Sequence, residues 1–380
     1  MSSLLVDLVE IILLHLRPDE PENLVRASLV CKSWHRILAD PRFRRRYHDS
    51  HPTPDPVLGL LRNFGTNKPD FLPTSAFRPP APDQPGWVAM DCRHGRALFT
   101  YSKHHWKNPL ELLLWDPMKR EQQRVPLPWK QQHRTVGFNA AVLCATQGCD
   151  HRSCQGGPFR IAIVFADERG HVTQACLYSS ETGVWSQFTP LRHPDACDDY
   201  HNLPSLLVGD ALYFSVTQGR NPIGLRLLGT IIECQLGTLT LSALKKPANN
   251  GRLMTTEDGR LGFAAMDGTS LTLWSRETDP ETAVGWSQLR VIDLNILLPD
   301  CALFTNSWFQ PAFVSGFAEG TQVIFVSSQV HLYMLDLKSG RVKKMPGYSL
   351  KVFPYTSFYI PDYGLVLLVA IESASTHQGQ

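Results

Sequence analysis

The spacing of apolar residues changes once along this 380-residue chain. As far as about residue 48 they recur at intervals of three and four, and from Trp87 onward they alternate. The first spacing lines one face of a helix and the second lines one face of a strand, and a segment cannot satisfy both. The chain is therefore read as α+β in separate domains: a small N-terminal helical unit over 1–48, a proline-rich linker with one strand over 49–86, and an all-β region over 87–375.

Leu4, Leu8, Ile12, Leu13 and Leu16 set the stripe of the first helix. Arg17-Pro18 closes it, because a residue preceding proline is pushed out of the helical region. Glu20-Pro21-Glu22 reads as the next helix start, and Leu24, Val25, Ser28 and Leu29 supply its inner face. Trp34, Ile37 and Leu38 continue in a third helix. Asp40-Pro41 is the cap signal for a fourth, which carries Arg42, Arg44, Arg45 and Arg46. Apolar side chains nearly encircle the first helix, so it is buried on more than one side. A unit of about forty-five residues has difficulty supplying all of that cover, so the helix either packs on the rest of the chain or, as the sharper reading, docks on a partner protein.

Within the β region one phrase recurs: strand, turn, strand, proline. The marker positions Trp115, Tyr178, Glu233, Trp274 and Leu335 are separated by 63, 55, 41 and 61 residues, near the length of a kelch-type propeller blade. Turn signals such as Glu181-Thr182-Gly183, Asp267-Gly268 and Lys338-Ser339-Gly340 separate the strands. Five such units, plus a closing blade in which Val57–Phe64 completes the hairpin expected over Thr356–Ile371, make a β-propeller of six blades; a β-sandwich pair is the alternative, less favoured because sandwiches do not produce this repeat.

Composition narrows the function classes. The formal charge of +2 offers no field for nucleic acid or anionic lipid, so neither is expected as a partner. Nine cysteines, an odd number at low density, suit a reducing compartment. The apolar start contains Asp7 and Glu10 and has no basic n-region. The late apolar run Leu365–Ile371 is too short to span a bilayer. A soluble protein of cytoplasm or nucleus is the expectation.

The N-terminal segment, from Leu4-Leu5-Val6-Asp7-Leu8 through Leu29-Val30-Cys31-Lys32-Ser33-Trp34 to Asp40-Pro41-Arg42-Phe43, closely resembles an F-box. The β region resembles the F-box-associated propeller of plant proteins, with Trp115-Asp116-Pro117 and Pro354-Tyr355-Thr356-Ser357-Phe358 as weaker echoes. The resemblance implies a non-catalytic substrate receptor of a Skp-cullin-F-box ubiquitin ligase. Its F-box would dock on a Skp-type adaptor and, through it, meet cullin and RING subunits, while the propeller would hold an unknown target protein. By position the adaptor contacts would be Leu4, Leu8, Ile12, Leu13, Leu16, Leu29, Val30, Cys31 and Trp34. Leu5 stands where the family usually has proline, which removes a rigid helix start. A scaffold that binds without promoting ubiquitination is the alternative.

No G-x-G-x-x-G, P-loop, G-x-S-x-G or H-E-x-x-H pattern occurs in the sequence, and no catalytic residue, metal or cofactor is assigned. Cys144, Cys149, His151 and Cys154 place four soft ligands within eleven residues. Their spacing departs from a zinc finger, and the segment is read as a hairpin tip with reduced thiols. The arginine run is read as a solvated helix end. His104, His105, Trp106 and Trp129 are candidates for a recognition face formed by the loops 102–109, 128–134, 147–158, 192–204, 217–229 and 276–285. Trp185, Trp274 and Trp286 are read as core.

Overall fold

The computed structural model describes residues 3–18, 20–51, 56–64, 68–75, 77–79, 86–101, 111–119, 121–129, 137–149, 151, 157–167, 171–192, 203–216, 229–249, 251–277, 285–298, 312–328 and 331–357. Four helices come first: α1 (Ser3–Leu14), α2 (Pro21–Val30), α3 (Lys32–Ala39) and α4 (Pro41–Ser50). Their ends follow the local chemistry. Pro21 opens α2, and the Asp40 carboxylate accepts a 2.8 Å bond from the Arg42 amide at the start of α4. Leu13, Leu24, Ala27, Leu38, Phe43 and Tyr47 form the shared core. Tyr47 donates its hydroxyl to the Leu16 carbonyl at 2.7 Å, tying the last helix to the end of the first.

The described strands form six antiparallel sheets. β1 (Val57–Phe64) and β2 (Lys68–Pro73) come first and belong to the sheet that closes the ring. Blade one is β3 (Trp87–Arg93), β4 (Arg96–Tyr101), β5 (Glu111–Asp116) and β6 (Glu121–Pro126). Blade two is β7 (Phe138–Cys144), β8 (Phe159–Ala166), β9 (Val172–Ser179) and β10 (Val184–Trp185), with β11 (Thr189–Arg192) also on β9. Blade three is β12 (Leu206–Val208), β13 (Ala211–Val216), β14 (Thr230–Gln235) and β15 (Thr240–Lys245). Blade four is β16 (Gly251–Thr255), β17 (Leu261–Asp267), β18 (Ser270–Arg276) and β19 (Trp286–Asp293), followed by the single turn α5 (Leu294–Leu297). Blade five is β20 (Phe313–Ala318), β21 (Val323–Ser327), β22 (Leu332–Asp336) and β23 (Val342–Met345), and β24 (Val352–Thr356) joins β1 and β2 in blade six.

The first strand of each blade lies innermost, with β24 against β20 on one side and β3 on the other. All five marker residues fall on the third strand of their blades. The turn after that strand is chemically repeated. Asp116 Oδ1 accepts from the amides of Met118 and Lys119, and Asp336 Oδ1 from those of Lys338 and Ser339. Apolar layers fill every junction. Leu98 and Leu112 meet Ala140 and Ile161 between blades one and two, while Leu61 and Phe353 meet Phe99 and Trp115 where the ring closes.

Three expectations change on contact with the structure. The 49–86 segment carries two strands, not one. Val57–Phe64 does donate itself to the closing blade, but its partner is Val352–Thr356, with Leu60 opposite Pro354. Proline can sit there because β24 pairs on its β1 side and turns its other edge to the channel. The rest of the expected hairpin, residues 358–371, lies outside the described residues. Third, α4 runs on to Ser50, so the arginines occupy its first two turns and not its C-terminal turn. Arg46 pairs with Glu10 of α1, and Arg44 Nε reaches the Leu38 carbonyl at 3.3 Å.

Two of the tryptophans latch neighbouring blades by their indole N–H. Trp185 donates to the Pro126 carbonyl and Trp286 to the Lys245 carbonyl, each at 2.8 Å and each onto the last residue of the previous blade's fourth strand. Trp286→Phe keeps an aromatic ring at the position and loses the bond. It is expected to lower stability by about 1 kcal/mol, seen as a lower denaturant midpoint at unchanged slope.

Candidate adaptor-docking face and recognition face

The helical unit divides its apolar residues between a core and a surface. Leu8 and Ile12, one turn apart on α1, are 51% and 57% exposed, and Ile11 beside them is also exposed. Leu29, Val30 and Cys31 are exposed where α2 ends. Leu13 is fully buried, so this expected docking residue is instead part of the core. Leu16 and Trp34 are half-buried against that core. The Leu4 side chain lies outside the described residues. Ile11 was missed because α1 is apolar nearly all round, which hides from the sequence which arc faces solvent. Exposed aliphatic side chains at this density are what a partner surface buries.

The second candidate face is the end of the propeller that carries the β3–β4 turn, the β7–β8 connection and the β12–β13 turn. A cavity of about 170 Å³ opens there, with His94, Cys144, His151, Arg160 and Asp210 in its wall. The Cys144, Cys149 and His151 ligand atoms all lie within 4.8 Å of one another. Cys154 lies outside the described residues, as do His104, His105, Trp106 and most of the loops proposed for recognition. Trp129 is buried, packed at 4.8 Å on the Phe165 ring, and belongs to the core between blades one and two. The His94 ring lies 4.6 Å from that of His151. Burial first, and the Arg93 charge second, hold His94 down at about 3, so it is neutral.

Behind this face a charged network crosses the channel. Arg93 on β3 donates to the Glu319 carboxylate at 2.7 Å and to the carbonyl and hydroxyl of Ser205 at 3.1 Å. It also pairs with Asp91 at 3.4 Å. Asp91 accepts from the Val142 amide and Glu319 from the Leu207 amide, both at 2.8 Å. Blades one, two, three and five are thereby joined through polar groups. Two carboxylates face one guanidinium, so the set, buried at Asp91 and Arg93 and partly exposed at Glu319, is neutral when it holds one proton. Burial is the largest cause that raises Glu319, to about 7; Arg93 opposes it and the Asp91 charge adds to it.

That shift fixes a sign. The unfolded chain releases the Glu319 proton near 4.5 and the folded one near 7. The stability this proton confers is complete below the lower value and lost as pH rises through the upper one. Glu319→Gln, neutral at every pH, is expected to gain about 1–3 kcal/mol on the native protein between pH 5 and pH 8. Thermal melts at both values measure the gap, and a gap independent of pH refutes the assignment.

A protein-family model described as F-box-like matches residues 6–50, the helical unit whose outer face has just been described. The N-terminal unit is F-box-like. F-box units in general bind Skp-type adaptors, and this one precedes a six-bladed propeller. Among solved structures the chain is similar to a luciferin-regenerating enzyme at 8% identity and TM-score 0.39, over 70% of this chain and 76% of that one. It is also similar to regucalcin, a calcium-binding protein of Agrobacterium tumefaciens, at 12% identity and TM-score 0.37, over 72% and 76%. The extracellular domain of BT4673 from B. thetaiotaomicron aligns at 13% identity and TM-score 0.34, over 69% and 28%. No curated protein matches the chain. No helix among the described residues is long and apolar enough to cross a membrane.

Proposed function

We propose that this chain is the substrate-recognition subunit of a Skp-cullin-F-box ubiquitin ligase, without catalytic residues of its own. The observation that carries the reading is the F-box-like unit with Leu8, Ile12, Leu29 and Val30 turned to solvent, joined to a propeller. The adaptor covers those aliphatic groups, and cullin and RING subunits follow through the adaptor. The propeller, of the kelch-like F-box-associated type met in plants, presents the face around the β3–β4 and β12–β13 turns to a target protein in cytoplasm or nucleus.

The test is reconstitution of the full chain with a Skp-type adaptor, a cullin and a RING subunit. The expected result is a stoichiometric complex on size exclusion and ubiquitin transfer that depends on this chain. Adaptor binding without cullin recruitment favours the scaffold alternative, and failure to bind any adaptor overturns the ligase reading.

A further inference from the structure

We propose that Cys144, Cys149 and His151 form a binding site for zinc at the β7–β8 connection. The cluster lies on the propeller and owes nothing to the F-box reading. Cys144 is the last residue of β7, and the chain then turns tightly, with the Cys149 amide bonded to the Thr146 carbonyl at 3.3 Å. Gly148 takes the left-handed φ of 68° that this turn needs, and His151 holds a φ of 62°, uncommon for a side chain with a Cβ. The turn thus brings two sulfurs and an imidazole together from eight consecutive residues.

Zinc bonds of about 2.3 Å to sulfur and 2.0–2.1 Å to nitrogen place tetrahedral ligand atoms roughly 3.5–3.8 Å apart. The three ligand atoms already lie within 4.8 Å of one another, and His151 is the exposed member of the set. The Thr146 amide donates to the Cys144 sulfur at 3.4 Å, holding it on the inner side of the turn.

Charge selects the class of ion. Arg160 shares the cavity wall with Cys144 and His151, and Arg93 and Arg96 act on the neighbouring His94. A hard cation held by neutral oxygens would be repelled by these arginines. Two thiolates cancel a divalent charge, and sulfur with imidazole prefers zinc to calcium or magnesium. Bound zinc would clip the connection to its own strand. Its base is already closed by the Ala145 amide on the Pro158 carbonyl at 3.0 Å and by Arg96 on the Gly157 carbonyl at 2.7 Å. The sequence reading of a simple hairpin tip rested on spacing, and spacing does not report this convergence.

The full chain, purified under reducing conditions without chelator, is expected to carry about one equivalent of zinc by elemental analysis. Cobalt(II) added to the stripped protein is expected to give thiolate charge-transfer bands and the visible bands of tetrahedral coordination. Cys149→Ser and His151→Ala, each outside the strands, should each cut zinc content by roughly tenfold or more with β-sheet circular dichroism retained. Cys31→Ser, on the helical unit, should leave it unchanged. Should one loop variant fail to fold, the other carries the test. The proposal is overturned by native protein with under about a tenth of an equivalent and no cobalt bands. It is equally overturned by zinc that survives both loop variants, or by a disulfide between Cys144 and Cys149 in freshly purified protein.

Discussion

Leu8→Asp combined with Ile12→Asp in the full chain is expected to weaken Skp-type adaptor binding by about a hundred- to ten-thousand-fold while the propeller stays folded. Each aliphatic side chain contributes about 1.5–3 kcal/mol when fully buried, and each tenfold in affinity corresponds to about 1.4 kcal/mol. Burying a carboxylate adds a further penalty. Both residues are more than half exposed in the chain alone, so the pair touches the interface and spares the helical core. Leu13→Asp is the contrasting variant: Leu13 is fully buried with Leu24, Phe43 and Tyr47, and its replacement should unfold the helical unit outright. Titration calorimetry with the adaptor, alongside circular dichroism of both variants, separates the two effects. Native-like affinity in the double variant would remove this face from the interface.

Arg93→Ala is expected to destabilise the propeller by about 3–5 kcal/mol at neutral pH, the cost of removing one partner from a buried charge pair. Asp91 is 2% exposed and would be left with no cation beside it, paying either for an unpaired buried charge or for taking up a proton, while the Ser205 carbonyl would lose its bond to the guanidinium. The tie from blade one to blades three and five would go with it. The cost should shrink in acid as the two carboxylates take up protons. Chemical denaturation at pH 5 and pH 8 measures both size and slope. A loss under about 1 kcal/mol would reduce this network to the worth of a surface ion pair.

Local signals carried most of the architecture. Pro21 and Asp40-Pro41 placed two helix starts where the structure has them, because proline geometry and a capping carboxylate act within one turn. The repeated strand, turn and strand placed five third strands, because the turns are made by residues such as Asp116 and Asp336 bonding to amides two and three positions on. The donor strand of the closing blade was readable from its isolated apolar run, but its partner was hidden by Pro354 in mid-strand.

The sites were less legible. Leu8 and Leu13 look alike in a helix apolar all round, yet one is half exposed and the other has no exposed surface. Glu319 lies 226 residues from Arg93, and no local rule pairs them. Trp129 looked like a loop residue available for recognition and is packed between blades.

Periodicity and turn chemistry were thus sufficient for two units, the helical one small and the other a ring of repeated blades, because both act over a few residues. Two matters waited for the chain to close on itself: which aliphatic residues of α1 remain for a partner, and how Arg93 on blade one comes to hold Glu319 of blade five as well as Asp91 on its own strand. Each depends on what packs on the far side of a residue, and that neighbour is set by the closed ring or the helical core and not by the residues adjacent in sequence.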